Sequence, residues 1–423
     1  MEKLGFCHLI LFSLQPYLIQ AGLHVLILHQ HFKTPQTGGA IRSYYLAKAL
    51  VEAGHEITVI TAHNAPARRE EVEGIKVHYL SVPYDNRFTF YARSWAFVKF
   101  LWLTVQRATK LGPVDLCYAI SVPLTIGWAA RWLRWRHGIP YIFEVGDLWP
   151  DAPIQMGFVK NYVLRQLLYN AERAAYREAK AIVALSPAIK ESIDRRAPGK
   201  RVYTIPNMAD CDFYRPEKKS AAIEEKFGVK GKLVISYVGA VGLANGLDYF
   251  LECVNAARKA NLPVHFLLCG DGALLDRLKN NAKQLGLIDS VELGQGAWLT
   301  FVPFTDRAGV REVMNVTDAA FVCYKPVPIL ETGSPNKYFD GLAAGKLIIV
   351  NFGGWIRKDI ESQRCGFYCD PHQPGDFVKK LTPFVDDRQL LAQYQQSARA
   401  LAEEKYARTQ LTTEWLRAIA AVR

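Results

Sequence analysis

Short apolar runs alternate with longer stretches of helical periodicity along most of the 423-residue chain. The runs are rich in valine, isoleucine and tyrosine, and they are apolar at nearly every position rather than at every second one. Such strands are typical of a parallel sheet that is covered by helices on both faces. The predicted strands are Val25–Leu28, Ile57–Ile60, Val77–Leu80, Leu116–Ile120, Tyr141–Val145, Ala181–Leu185, Val202–Ile205, Leu233–Val238, Val264–Cys269, Ser290–Leu293, Ala319–Tyr324, Leu347–Val350 and Phe367–Cys369.

The series of strands is interrupted once and then begins again. The break lies at residues 207–216, and a charged stretch over 217–230 follows it. Two series in one chain predict two Rossmann-like α/β domains with doubly wound parallel sheets, which bind ligands in a cleft at their facing strand ends. We expect a first domain over residues 23–206 and a second over 207–395. Residues 396–423 are expected to form a C-terminal helix, for which a return to the first domain is one option.

The first 22 residues are expected to be an extension ahead of the folded protein. They contain an apolar run, Phe6–Leu14, which is too short to span a bilayer. A membrane-touching segment and a secretory signal are the alternatives. The neutral start at Glu2-Lys3 and the poor cleavage site at Gln20-Ala21 argue against the signal.

Composition and charge narrow the function classes. Half of the residues are hydrophobic and 22% are charged, which excludes a disordered or collagen-like chain. The eight cysteines are scattered without a Cys-x-x-Cys pair, as expected for buried thiols in a reducing compartment. Lysine and arginine exceed aspartate and glutamate by 12. This excess favours anionic partners, such as nucleic acid, a membrane surface or phosphorylated small molecules.

Glycine-containing loops follow the first strands of both series. Glycine lets the backbone approach an anionic group closely and present N–H donors to it, although glycines at strand ends also form plain turns. The candidate residues in these loops are Gly38, Gly39, Gly239, Asn245, Gly270 and Asp271.

A lysine at a predicted helix start is the most informative candidate. The segment 331–346 predicts a helix that begins near Pro335 and ends at Gly345. Lys337 would lie in the first turn, where a cation is unfavourable for the helix unless an anionic ligand binds there. Ser334 and Asn336 flank it as further phosphate-binding candidates. Asp340, one turn later on the same face, is positioned to accept hydrogen bonds from ribose hydroxyls.

From about Leu23 onward the chain resembles the retaining glycosyltransferases of family 4, which have the GT-B fold. The resemblance rests on Gly38-Gly39, Asn207, Gly239 with Gly246, and Asp340 with Ala344-Gly345, which match the family's motifs in order. Within the family it is strongest for the subgroup with an Asp-Leu-Trp-Pro segment, here residues 147–150, and a Ser-Pro-Asn-Lys loop, here residues 334–337. That subgroup resembles amino-sugar transferases of bacterial O-antigen, capsule and exopolysaccharide assembly.

The resemblance implies an enzyme with an active site between the two domains. It implies sugar transfer with retention from a nucleoside-diphosphate sugar, such as a UDP-N-acetylhexosamine or a deoxy relative, to a lipid-linked saccharide at the cytoplasmic face of the membrane. Neither a cofactor nor a metal ion is implied. A non-catalytic GT-B partner subunit and a GT-B nucleotide-sugar epimerase are the alternatives.

The chain departs from the family at the donor diphosphate. The arginine and lysine that grip the diphosphate fall on Ala240 and Asn245, which carry no charge. The first glutamate of the Glu-x7-Glu motif falls on Thr332, and the second is the shorter Asp340. No counterpart of the family's catalytic histidine lies near Ser121. We therefore expect Lys337, and secondarily Arg42, to replace the missing positive charges.

Two carboxylates at the end of the fifth predicted strand are the catalytic candidates. Glu144 and Asp147 would flank the cleft, where a carboxylate orients an acceptor hydroxyl or stabilises a positively charged sugar ring. Asp147 has a structural alternative as the cap of the following turn. His29 and His31 lie two apart at the end of the first strand, but no third metal ligand accompanies them.

The basic residues concentrate in one segment. Between Asn86 and His137 lie eight lysines and arginines, one acid, Asp115, and five tryptophans. Tryptophan mixed with arginine and lysine is typical of proteins at a lipid headgroup boundary. We predict contact of Arg131, Trp132, Arg134 and Arg136 with an anionic membrane surface. Core helices beside the acceptor site are one alternative. Nucleic acid is another, although no recognised nucleic-acid fold accompanies the charge.

Overall fold

The computed structural model describes residues 22–39, 41–85, 87–292 and 294–422. The prediction of an N-terminal extension therefore falls outside the described residues, apart from Gly22.

The first sheet has eight strands in the order β3-β4-β2-β1-β5-β6-β7-β8. All pairs are parallel except β3 with β4. The central strands are apolar and fully buried because helices cover both faces of the sheet. The strands are β1 His24–Leu28, β2 Glu56–His63, β3 Arg68–Val72, β4 Ile75–Ser81, β5 Leu116–Ser121, β6 Tyr141–Val145, β7 Ala181–Ala184 and β8 Val202–Thr204.

The second sheet has six parallel strands in the order β11-β10-β9-β12-β13-β14. Its aromatic-rich core lies beneath the helices that follow β9 and β14. The strands are β9 Leu233–Val238, β10 Val264–Cys269, β11 Leu299–Val302, β12 Ala319–Val322, β13 Leu347–Val350 and β14 Gly366–Tyr368.

Helices connect most of the consecutive strands in both domains, the exception being β2 to β4, which follow one another directly. The α-helices are α1 Arg42–Glu52, α2 Phe90–Ala108, α3 Thr125–His137, α4 Asp151–Gln155, α5 Tyr162–Glu178, α6 Pro187–Arg196, α7 Ala221–Phe227, α8 Leu247–Lys259, α9 Leu275–Gln284, α10 Arg307–Val316, α11 Asn336–Ala343, α12 Gly354–Ser362, α13 Pro374–Asp386, α14 Arg388–Lys405 and α15 Arg408–Ala420. Two short 3₁₀ turns lie at Leu243–Asn245 and Pro328–Thr332. None of the helices in the described ranges has the length and apolar character needed to cross a membrane.

Two strands differ from the prediction. Residues 290–292 of the predicted strand Ser290–Leu293 form a turn, and β11 begins at Leu299 instead. β3 was not predicted because Arg68–Val72 is charged and exposed, which an edge strand tolerates. The difference between the predicted strand and β11 affects the site, because the loop that follows β11 reaches the cleft.

The chain passes from one domain to the other twice. After β8 it enters the second domain, and at Tyr406 it leaves α14 and turns back into α15. The two crossings lie side by side, because Ala209 and Ala407 form a parallel bridge. Trp415 of α15 is buried in the first domain, with its ring centroid 5.0 Å from that of Tyr118. The predicted boundary at residue 395 falls inside the continuous helix α14.

Candidate active site between the two domains

A cavity of about 1100 Å³ lies between the domains at the carboxyl ends of their strands. Its wall is built by the loops after β1, β2 and β4 of the first domain and after β9, β10 and β11 of the second, together with the start of α11. The predicted site residues that reach this wall are Gly39, Arg42, Gly239, Gly270, Asp271, Asn336, Lys337 and Asp340.

Glycines in the second domain allow the loops after β9 and β10 to pack closely against each other. A Cβ on Gly270 would lie 1.9 Å from the carbonyl oxygen of Gly239, and one on Gly272 would lie 2.4 Å from that of Val241. Asn245 braces the same loop, since its Nδ2 donates a 2.8 Å hydrogen bond to the carbonyl of Ala240. The structure thus gives Asn245 a supporting position beneath the loop. The loops after β9 and β10 are thus held together by a close approach of their backbones, which only glycine permits.

The glycines of the first domain face the second. Gly38 and Gly39 adopt positive φ angles of 67° and 83°, which favour glycine. The Cβ position of Gly38 lies 3.9 Å from the backbone nitrogen of Arg307, at the start of α10. The Gly38-Gly39 turn therefore forms a side of the cleft that meets the opposite domain.

Lys337 brings a positive charge to the loop after β9. Its Nζ lies 5.1 Å from the ring centroid of Tyr237 and 5.4 Å from that of Tyr324. The Cβ position of Gly239 lies 3.1 Å from its Cε and 3.7 Å from its Nζ. The Lys337 amine thus lies beside the loop after β9, where Ala240 and Asn245 replace the family's arginine and lysine. Burial lowers the pKa of Lys337 to about 8, and the charge of Asp340 opposes that shift.

Asp340 lies one turn further along α11 and also lines the cavity. Burial raises the pKa of this carboxyl to about 7. Arg307 and Lys337 act against the rise, and Asp210 adds to it. The site thus pairs an acid and a base whose pKa values lie close together around neutrality, because both groups are drawn from water into the cleft.

These two pKa values predict a narrow pH optimum for donor binding. If Asp340 binds the ribose and Lys337 the diphosphate, as predicted, then Asp340 is ionised for its role above a pH of about 7, and Lys337 loses its charge above about 8. Affinity of the free protein for a nucleoside diphosphate should rise as pH approaches 7 and fall beyond 8. Calorimetric titration from pH 5.5 to 9.5 measures this profile (about four pH units, wide enough for both limbs), and Lys337→Arg should abolish the alkaline limb. A flat profile in the unmodified protein would contradict the assignment.

Arg42, which reaches the cavity wall, forms a buried ion pair with Glu144. Nη2 of Arg42 lies 3.0 Å from Oε2 of Glu144, and both side chains are almost fully buried. Arg42 also donates hydrogen bonds to the carbonyls of Ile205 and Pro206, and Tyr118 donates one to Glu144. The predicted roles, diphosphate binding for Arg42 and catalysis for Glu144, are not supported by this geometry. The pair instead ties α1 and β6 to the start of the first interdomain crossing.

Of the two predicted catalytic carboxylates, Asp147 is exposed, but it is not among the residues that line the cavity. Desolvation by the surrounding protein raises the pKa of its carboxyl. Across the cleft, burial and then the charge of Asp147 raise the pKa of Tyr324. Asp147 is therefore close to Tyr324 of the second domain, which lines the cavity.

Ser334 and Asp271 join the two halves of the protein. The backbone nitrogen of Asn207 donates a 3.1 Å hydrogen bond to the Ser334 hydroxyl, and the Asn207 side chain binds the Ser334 carbonyl. At the cavity mouth both oxygens of Asp271 accept hydrogen bonds of 2.8 Å from Arg87 of the first domain. The predicted donor residues Ser334 and Asp271 thus also hold the domains together.

Four residues that the sequence analysis missed form a cluster beside Asp340. Asp210 accepts a 2.7 Å hydrogen bond from the Tyr45 hydroxyl and pairs with Arg307. Arg408 lies 3.8 Å from the same carboxylate. Asp210 follows Asn207 at the spacing of the family's Asn-Gly-Val-Asp motif, so this signal was present. Arg307 was missed because it follows the misplaced strand.

The predicted membrane residues are only partly exposed. Arg131 and Arg134 both pair with Glu178, at 2.6 and 3.6 Å. Trp132 is half-buried against the core, with its ring centroid 5.4 Å from that of His137. Arg136 is exposed. Three of the four residues therefore serve packing and ion pairing within the first domain.

His29 and His31 do not form a metal site with other described side chains. Burial lowers the pKa of His29 to about 3 and that of His31 to about 4, so both are neutral at pH 7. Nδ1 of His29 lies 2.8 Å from the Ser43 hydroxyl. Among the residues that the structure describes, no three histidines, cysteines or carboxylates come together as metal ligands.

Comparison with known families assigns both domains. Residues 37–208 match the family described as "Glycosyl transferase 4-like domain", and residues 219–401 match "Glycosyl transferases group 1". Together these matches cover most of the residues that line the cavity, on both sides.

Curated relatives and solved structures agree with these matches. An alpha-D-kanosaminyltransferase from Streptomyces kanamyceticus is 22% identical over 240 residues, which is 56% of this chain and 59% of that protein. An uncharacterized glycosyltransferase from Haemophilus influenzae is 22% identical over 384 residues, covering 89% of this chain and 95% of that protein.

Among solved structures, a sucrose-phosphate synthase from Thermosynechococcus elongatus superposes with a TM-score of 0.75 at 15% identity, over 95% of this chain and 99% of that chain. The Anabaena protein HepE in complex with UDP-glucose superposes with a TM-score of 0.66 at 17% identity, over 94% of this chain and all of that chain. These similarities confirm the predicted fold class.

Proposed function

Because the chain belongs to the glycosyltransferases of the GT-B fold, we propose that it transfers a sugar from a nucleoside-diphosphate donor to a lipid-linked saccharide with retention of configuration. The proposed donor is a UDP-N-acetylhexosamine or a deoxy relative. The proposed setting is O-antigen, capsule or exopolysaccharide assembly on the cytoplasmic face of the membrane.

One observation carries the proposal. Lys337 lies against the glycine loop after β9, and Asp340 follows on the same wall of the cavity. A cation beside free backbone N–H groups at a helix start suits a diphosphate, and a carboxylate one turn away suits ribose. The binding of UDP-glucose by HepE and the amino sugar in the kanosaminyltransferase's name support a nucleotide-sugar donor.

The proposed reaction proceeds on one face of the donor sugar. The bond between the anomeric carbon and the diphosphate oxygen breaks, and the acceptor hydroxyl oxygen bonds to the same face of that carbon. The departing diphosphate takes the hydroxyl proton. Lys337 would stabilise the negative charge that develops on the diphosphate, and Asp147 the positive charge on the sugar ring.

A panel of nucleotide sugars tests this proposal. We expect slow hydrolysis of one donor, detected by mass spectrometry as free nucleotide and sugar in equal amounts. Sugar 1-phosphates, which lack the nucleotide, serve as controls and should remain intact. Binding without turnover would favour a non-catalytic partner subunit, and an isomerised donor of unchanged mass would favour an epimerase. Either result would overturn the proposal.

The same assay tests the role of metal ions. We expect the activity to survive EDTA, because Lys337 rather than a divalent cation is proposed to neutralise the diphosphate. Two of the five aspartates that line the cavity, Asp210 and Asp271, are already paired with arginines. Complete loss of activity with EDTA that Mn²⁺ or Mg²⁺ restores would contradict this expectation.

A further inference from the structure

The first domain exposes large apolar side chains on three neighbouring helices. We call this surface the docking face. Its members each expose 60–79% of their area: Trp95, Trp102, Trp135, Tyr162, Val163 and Leu167. A group of large apolar side chains exposed on one side of a soluble domain commonly marks a binding surface.

The topology places these side chains on one side of the domain. The helices α2, α3 and α5 connect β4 to β5, β5 to β6 and β6 to β7, so they cover the same face of the sheet. α3 packs between α2 and α5. Trp95 and Trp102 lie two turns apart on α2 and therefore point in the same direction.

The charges around the docking face are mostly positive. The stretch from Phe88 to Lys110 contains four lysines and arginines and no acid, and α3 contains three arginines, of which Arg131 and Arg134 pair with Glu178 at the end of α5. Lys160 and Arg165 add two more at the start of α5. Exposed tryptophans among basic residues match the boundary between anionic lipid headgroups and the acyl chains.

Helix α2, which carries two of the exposed tryptophans, also reaches the active-site cavity through its inner side. Phe97 on α2 stacks on Tyr84 with ring centroids 5.8 Å apart, and Tyr84 lines the cavity. A lipid-linked saccharide lying in a membrane against this face would have its sugar at the first-domain side of the cleft.

We propose that the docking face, formed by α2, α3 and α5, seats the protein on an anionic bilayer and admits the saccharide end of its lipid-linked acceptor to the cleft. The inference rests on the proposed function for the identity of the acceptor. A second copy of this chain fits less well, because a two-fold interface would place the same basic residues opposite each other.

Vesicle flotation of the full chain tests the proposal without requiring activity. The vesicles contain phosphatidylcholine with phosphatidylglycerol, or phosphatidylcholine alone. We expect binding to the anionic vesicles at about 0.1 M salt and release at about 1 M, where the Debye length falls to roughly 3 Å. Absence of binding, or equal binding to both vesicles at both salt concentrations, would overturn the proposal.

Surface variants separate the contributions of apolar contact and charge. Trp95→Ser with Trp102→Ser, and separately Arg136→Ser with Lys160→Ser, should each weaken vesicle binding about tenfold or more. The matched controls in the second domain, Leu285→Ser and Lys230→Ser with Lys259→Ser, should bind as the parent does. Unchanged melting temperatures show that the fold is intact.

Two further measurements separate this inference from its alternatives. Sedimentation should show a monomer; a dimer that the tryptophan variants dissociate would identify an interface between copies and overturn the proposal. The tryptophan variants should hydrolyse the soluble donor at the parental rate. If no donor is hydrolysed by any variant while flotation behaves as expected, the proposed function fails and the docking face stands.

Discussion

Replacing Lys337 by alanine is expected to weaken donor binding and slow turnover together by about ten- to a hundredfold. The charge-assisted contact that is lost contributes about 1.5–3 kcal/mol. The effect is large because Lys337 is the cation that lies against the Gly239 loop, where the family's own basic residues are replaced by Ala240 and Asn245. Calorimetry with UDP and steady-state hydrolysis of the donor measure both quantities.

The controls for this variant separate charge from fold. Lys337→Arg keeps the charge and should retain most of the donor affinity. Lys358→Ala removes an exposed lysine of α12 and should change nothing. Alanine at position 337 with unchanged kinetics and an intact fold would remove the basis of the donor-site assignment.

Replacing Arg42 by alanine should give the largest loss of stability. It leaves the buried carboxylate of Glu144 without its partner, which costs about 3–5 kcal/mol. It also removes the hydrogen bonds to the carbonyls of Ile205 and Pro206. For domains of this size the melting temperature should fall by roughly 6–20 °C, at about 2–4 °C per kcal/mol. Differential scanning calorimetry measures the shift.

An exposed ion pair of the same domain is the matched control. Arg195 and Glu191 form a pair four residues apart on α6, with side chains 67% and 71% exposed. Arg195→Ala should cost at most about 0.5 kcal/mol. The double variant Arg42→Met with Glu144→Gln should recover part of the stability, because no buried charge is then left alone. Equal melting temperatures of Arg42→Ala and Arg195→Ala would show that the pair is not structurally important.

The fold was predictable because its signals are local. Continuous apolar runs such as Leu233–Val238 and Val264–Cys269 match the observed strands residue for residue. Edge strands are harder to predict because one edge of the strand faces solvent. The edge strand β3 is charged, and the edge strand β11 has only four residues. The apolar pattern does not mark such strands.

The site could be predicted only where its residues lie close together in the sequence. Lys337 and Asp340 share one helix turn, so the spacing placed them together. The contact between Arg42 and Glu144 joins residues 102 positions apart, and that between Arg307 and Asp210 joins residues 97 apart. Whether a charged residue faces a ligand or neutralises a buried neighbour depends on such distant contacts. The sequence pattern at Glu144 contained no sign of its partner.

The two adjacent interdomain crossings have a mechanical consequence. A pair of chain segments that are bridged at Ala209 and Ala407 lets one domain rotate about the line through them and resists twisting about other axes. Asp210, which follows this bridge, pairs with Arg307 of the second domain. The Arg87–Asp271 pair lies at the cavity mouth. We therefore expect the cleft to open by rotation about the bridged crossings, with the Arg87–Asp271 pair separating as it opens.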